Sequence, residues 1–226
     1  MSQPNSEGIL TLTLSPDNPS NTTITNPAGD ILYTAETLFP RGKDSSYAIT
    51  HVCGSKGQTI AALEWKDISS DLVGLGEEAV ELDAEGDAVG LKKGKEIKLT
   101  QWMKSSIIPF DTSVSFRDEK GRKYKWKGYG TGETLELHAS DYSSGPVAQF
   151  RPSRARADPP RPAQLLLVTR AQEIMDIVVP SFLFLEKNRR ATDNSTQNKA
   201  DVLGTPYMNL PAGGRLRTQV VHKGGA

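Results

Sequence analysis

Residues 169–190 read TRAQEIMDIVVPSFLFLEKNRR, and this stretch decides the fold. Glu173 and Asp176 stand near its start, where carboxylates suit the positive end of a helix. Lys187, Arg189 and Arg190 stand at the other end, where cations suit the carbonyls. Thr169 and Gln172 fit a capping box, with Thr169 as N-cap. The pattern predicts one helix over 169–190. Between its charged ends the apolar residues fall on every side, and such a helix belongs in a core or a membrane. Residues 174–185 would span roughly 18 Å, against ~30 Å of bilayer hydrocarbon. The flanks are charged, so burial in protein is expected. An open sheet or a sandwich covers one side of such a helix, whereas a barrel wrapped around it covers all of them. Pro180 removes a backbone donor and frees the carbonyl of Asp176, which predicts a kink.

Upstream, the chain reads as short strands. Leu10, Leu12 and Leu14 alternate with Thr11, Thr13 and Ser15, the period of a half-buried strand. Asn26, Pro27, Ala28 and Gly29 form a turn between two strands, because proline fixes φ and glycine supplies φ > 0. Residues 47–53 and 58–65 flank a second turn at Gly54, Ser55, Lys56 and Gly57. Asp118, Glu119, Lys120 and Gly121 make a third. After it Tyr124 and Trp126 share one face, opposite Lys123, Lys125 and Lys127. Residues 135–139, 147–150 and 163–168 complete the series. The loop 151–162 holds four prolines and four arginines and excludes regular structure. The fold expected is mainly β: a closed antiparallel barrel of about 12 strands around the buried C-terminal helix. It would occupy 9–190 as a single domain, after a polar lead at 1–8. The polar residues 191–226 read as a disordered or loosely attached tail.

The whole chain has 226 residues, with 27 Lys+Arg against 27 Asp+Glu. Zero net charge argues against a dedicated nucleic-acid binder. A single cysteine excludes an internal disulfide, and with only 3 histidines it leaves no usual zinc set. The charge is unevenly placed. Residues 1–91 carry 14 acidic and 4 basic side chains, a net −10, and residues 92–226 carry 13 and 23, a net +10. The first residues have neither a basic nor an apolar segment of a secretory signal, so an intracellular, cytoplasmic location, peripheral to a membrane if the lipid reading holds, is expected.

Three motifs carry a resemblance. The first is Leu12 to Pro19 (LTLSPDNP) followed by Asn21, Thr22 and Thr23; the second is GRKYKWKG at 121–128. The third is RAQEI at 170–174 followed by SFLFLEK at 181–187. Over roughly 9–190 the chain resembles a family of uncharacterised proteins abundant in mushroom-forming fungi and defined only as a domain of unknown function. By overall pattern that family is similar to the tubby C-terminal, phospholipid-scramblase and LURP-one-like group. The resemblance implies a closed barrel of about twelve strands around an apolar helix. It assigns no binding residues here, and fold alone does not give function.

Catalytic chemistry has little to stand on. His51 and Cys53 lie two apart on a strand and share a face, but no third group orients them. Asp83 to Asp87 hints at a calcium loop, yet its glycine is fourth rather than sixth and no closing glutamate follows. No cofactor, metal ligand or catalytic residue is assigned. The best lead is basic: Lys92, Lys93, Lys95, Arg122, Lys123, Lys125 and Lys127 form a candidate anionic-ligand patch. The expected function is non-enzymatic, peripheral binding of anionic, phosphoinositide-like lipid. The alternative is a protein-interaction or structural barrel with no small ligand.

Overall fold

The computed structural model describes residues 8–39, 47–66, 70–84, 86, 88–130, 132–154 and 156–204. In chain order the strands of the first half are β1 (Leu10–Ser15), β2 (Thr22–Thr25), β3 (Ile31–Leu38), β4 (Tyr47–Gly54), β5 (Thr59–Lys66) and β6 (Leu72–Leu75). A hairpin of β7 (Val80–Leu82) and β8 (Ala88–Leu91) follows, then β9 (Ile97–Lys98), the single turn α1 (Leu99–Trp102) and β10 (Lys104–Ser105). The second half holds β11 (Val114–Arg117), β12 (Lys123–Lys127), β13 (Glu136–Ala139), β14 (Ala148–Arg151) and β15 (Ala163–Leu167). Two helices end it, α2 (Thr169–Gln172) and α3 (Met175–Gly204).

Thirteen strands form one sheet in the order β10-β11-β12-β13-β14-β15-β1-β2-β3-β4-β5-β6-β9. Every neighbouring pair is antiparallel. The turns form where expected. Gly29, Gly57 and Gly121 have φ of 89°, 78° and 76°, which glycine adopts without steric cost. Asn26 Oδ1 accepts from the backbone N–H groups of Ala28 and Asp30, fixing the β2–β3 hairpin.

The sheet is curled around α3. Phe182 meets the rings of Trp126 on β12 and Phe150 on β14, at centroid distances of 6.2 and 4.8 Å. Phe184 meets Trp65 on β5 at 6.3 Å and Trp102 on α1 at 6.2 Å. Tyr33 on β3 donates its hydroxyl to Asp176 at 2.6 Å. β12 and β5 are eight strand spacings apart in the sheet order, roughly 38 Å if flat. A helix about 10–12 Å across reaches both only if the sheet bends around it. Val178, Val179, Phe182, Leu183, Phe184 and Leu185 are all buried, and so is Pro180. The predicted inward pair, Tyr124 and Trp126, has 0% exposure. The Trp126 indole N–H donates to Ser181 Oγ at 3.0 Å, and Ser181 Oγ donates to the carbonyl of Val178.

The two ends of the sheet come together at β9 and β10. No ladder joins β9 to β10 among the described residues. The two edge strands are linked instead along the chain, through α1 and Met103. The β7–β8 hairpin stands apart from the large sheet. It packs Val80 and Ala88 onto Ile49 and Ala62, a small second core beneath it.

The helix also departs from its expected form. It is two segments, with a break between Gln172 and Met175. The capping box does not form: Val168 is the N-cap of α2, with no side-chain cap. The Gln172 amide is occupied elsewhere, donating to the carbonyls of Gly8 and Leu167. α3 is helical through Pro180 and runs past 190 to Gly204, beyond the helix expected over 169–190. Residues 205–226 and most of the lead at 1–8 lie outside the described residues. The far part of α3 is pinned by charge. Glu186 is fully buried between Arg189 and Arg190, and Arg190 reaches Asp17 ahead of β2.

Candidate anionic-ligand surface

The sequence-predicted cations divide into three groups. Lys92, Lys93 and Lys95 lie in the turn between β8 and β9, all exposed, with Gly94 at φ 84°. Lys92 Nζ donates to the Glu77 carbonyl at 3.4 Å, and Lys95 stands 3.8 Å from Glu78. Their charge is partly answered locally, and none of them lines the cleft described below.

Arg122 is committed to structure. Its Nε pairs with Asp118 and its Nη1 with Glu173 at 2.9 Å, which ties the β11–β12 turn to the start of the helices. Asp118 is buried, which alone would raise its pKa, but hydrogen bonds from the Arg122 side chain and backbone bring it below the usual carboxylate value. Arg122 itself is raised, first by Asp118. Arg170 joins the cluster through Glu173 and Asp141.

Lys123, Lys125 and Lys127 project outward from β12 because Tyr124 and Trp126 point inward. Lys125 Nζ is 3.2 Å from Asp111. Among the described residues no ion pair involves Lys123 or Lys127.

Register supplies two cations that the sequence reading missed. Arg117 on β11 stands opposite Lys123, and Lys104 on β10 opposite Ser115, which in turn faces Lys125. A cleft of about 440 Å³ opens where the two ends of the sheet meet. Ile97, Gln101, Trp102, Lys104, Ser115, Phe116, Arg117 and Lys123 line it. Three of these are cations and none is a carboxylate. Arg117 Nη1 donates to the Gly121 carbonyl at 2.8 Å, which fixes the guanidinium at the turn. Arg117 was legible in principle, since a hairpin turning at 118–121 pairs it with Lys123. Lys104 was not, because a two-residue strand has no readable period.

His51 and Cys53 do share a face of β4. Cys53 Sγ lies 3.4 Å from His51 Nε2, which also meets Thr59 Oγ1 at 2.9 Å. Burial pushes the thiol pKa up, and the charge of Glu36 adds to this. A nucleophilic cysteine needs the opposite shift. Among the described residues no group of three or more His, Cys, Asp and Glu could hold a metal ion. No helix there is long and apolar enough to cross a membrane.

Residues 17–191 match a family model described as a family of unknown function, DUF6593. The chain belongs to DUF6593. The match takes in every strand from β2 to β15 and the buried half of α3, so the whole DUF6593 sheet except β1 falls inside it. No curated protein matches the chain. An X-ray structure of a protein from Arabidopsis thaliana is similar at 13% identity and a TM-score of 0.38, covering 76% of this chain and 89% of the other.

Proposed function

We propose that this DUF6593 chain is a non-enzymatic domain that binds anionic phospholipid headgroups at the periphery of an intracellular membrane. The supporting observation is the 440 Å³ cleft lined by Lys104, Arg117 and Lys123 with no carboxylate. Cations near an anionic bilayer contribute about 1 kcal/mol each, so three or four give weak, reversible recruitment. The filled interior favours this reading, because α3 occupies the space where an enclosed ligand would sit. The raised Cys53 thiol speaks against cysteine chemistry. We also read the curled sheet as a tubby-type barrel closed along the chain by α1. The tubby, scramblase and LURP-one-like grouping and the fungal kinship rest on the three sequence motifs.

The test is co-sedimentation with phosphatidylcholine vesicles, with and without phosphatidylserine or a phosphoinositide. Retention on anionic vesicles is expected to fall as salt rises. Arg117→Glu/Lys123→Glu is expected to abolish it while leaving the Tm unchanged. Equal retention on neutral and anionic vesicles would refute lipid binding and leave the protein-interaction reading in its place.

A further inference from the structure

The connection from β10 to β11 presents Ile107, Ile108, Pro109 and Phe110 to solvent. Ile107 is 98%, Ile108 62% and Phe110 fully exposed. Other large exposed apolar residues, such as Ile9, Ile31 and Phe39, occur singly along the chain, which is ordinary for a protein surface. Consecutive ones at a loop tip are not ordinary.

The loop is held in this shape. Ser106 N–H donates to the Ser113 carbonyl at 2.8 Å, closing the base. Ile108 N–H donates to Ser106 Oγ, and Asp111 N–H to the Ile108 carbonyl. Asp111 Oδ1 accepts from Ser113 N–H at 3.0 Å, and its other oxygen meets Lys125 Nζ. Hydrogen bonds, first from the Ser113 hydroxyl and then from that of Ser106, hold the Asp111 carboxyl well below its usual range. Phe110 has φ 66°, alone among the non-glycine residues described. An aromatic residue in the left-handed region costs of order 1 kcal/mol or more, and here no packing of its ring offsets that cost. The strain projects an apolar side chain into water.

The setting is cationic. Lys104 precedes the loop by two residues and is exposed. β11 begins at Val114 opposite Trp126, so Lys127 stands at the loop end of β12, beside Lys125. Asp111 is the one carboxylate within the loop, and Lys125 answers it.

We infer that the tip 107–110 inserts into the interfacial layer of an anionic phospholipid bilayer, while Lys104 and Lys127 contact headgroups around its base. An apolar tip ringed by cations fits a surface that is greasy below and negative above. This inference rests on the lipid reading and adds the element that enters the membrane.

The experiment compares three proteins on phosphatidylcholine vesicles with and without phosphatidylserine: wild type, Ile107→Ser/Ile108→Ser and Phe110→Gly. Both variants are expected to bind anionic vesicles at least about tenfold more weakly than wild type. Phe110→Gly should keep or raise the Tm, because glycine adopts φ 66° without strain. Lower binding with undiminished stability is a result that a purely structural role does not produce. In addition, a polarity-sensitive dye on Ile108→Cys, in a Cys53→Ser background, should shift to the blue only when anionic vesicles are added. Wild-type affinity in both variants, with an unshifted dye, would overturn insertion and leave headgroup binding at the cleft standing. Wild type that ignores anionic vesicles would overturn both. A blue shift that grows with protein concentration in the absence of lipid would assign the tip to a second copy and overturn insertion.

Discussion

Truncating the four consecutive residues 182–185 to alanine, one at a time, tests the enclosure of α3. Successive helix residues are 100° apart, so these four point in four directions around the axis. Exposure is 0% at Phe182 and Leu183, 1% at Phe184 and 5% at Leu185. On an amphipathic helix lying against one face, at least one of the four would meet water and be cheap to truncate. Here each removal leaves a cavity between the helix and a different part of the sheet. Phe182 loses Trp126 and Phe150, and Phe184 loses Trp65 and Trp102. The expected costs are about 3–5 kcal/mol for each phenylalanine and about 2–5 for each leucine. At roughly 2–4 °C per kcal/mol for a chain of this size, Phe182→Ala should lower the Tm by about 6–20 °C. Urea titrations of the four variants would give midpoint and slope together, separating lost stability from a changed unfolded state. If any one of the four cost less than about 1 kcal/mol while the rest cost the full amount, α3 would have an open side and the enclosure argument would fail.

Two further outcomes follow from single contacts. Ser181→Ala leaves the buried Trp126 N–H without its acceptor and should cost about 1–3 kcal/mol; in a double-mutant cycle with Trp126→Phe the two losses should be clearly less than additive, and strict additivity would deny the bond. The Lys187 ammonium lies 3.1 Å over the Trp65 ring, and burial lowers its pKa to about 7, offset in part by Asp71. Its unfolded value is near 10.4, so between these limits the unfolded chain holds a proton that the folded chain has released. Stability should therefore rise from about pH 7 towards pH 10 in wild type relative to Lys187→Met, and parallel pH profiles for the two proteins would refute it.

Local chemistry was legible and long-range chemistry was not. The alternation at 10–15 and 123–127 stated which residues face inward, because a strand's period is a property of the strand alone. The helix at 174–185 declared its burial by being apolar on all sides. The order of the sheet was hidden. β1 lies between β15 and β2, a pairing of Leu10 with Leu167 that no local pattern encodes. The capping box failed for the same reason: Gln172 had the right spacing, but the carbonyls of Gly8 and Leu167 claim its amide. The polar composition of 191–204 carried no helical signal, yet α3 continues to Gly204, extended from a helix already nucleated inside the sheet. In the candidate patch, Arg122 reads in sequence like its lysine neighbours. Only tertiary distance shows that Asp118 and Glu173 have already taken its charge.

The sheet order also gives the uneven charge of the chain a spatial meaning. β10 to β15, drawn from the half with net +10, are consecutive neighbours in the sheet. β1 to β6, drawn from the half with net −10, are consecutive as well. Residues 104–167, which span β10 to β15, hold 11 basic and 7 acidic side chains, and residues 10–75, which span β1 to β6, hold 4 and 7. The two arcs of the curled sheet therefore differ in sign, although half of the 14 acids in 1–91 lie outside 10–75. Near an anionic surface such a dipole turns the basic arc inward before any contact is made. The tip at 107–110 lies between β10 and β11, within that arc. On the proposed lipid reading, orientation by charge and insertion by apolar contact would favour the same face. They fail under different conditions: salt screens the first over about a Debye length and leaves the second nearly untouched. On the proposed lipid reading, capture by the bilayer should slow as salt rises, and the lifetime of the bound state should depend chiefly on Ile107, Ile108 and Phe110.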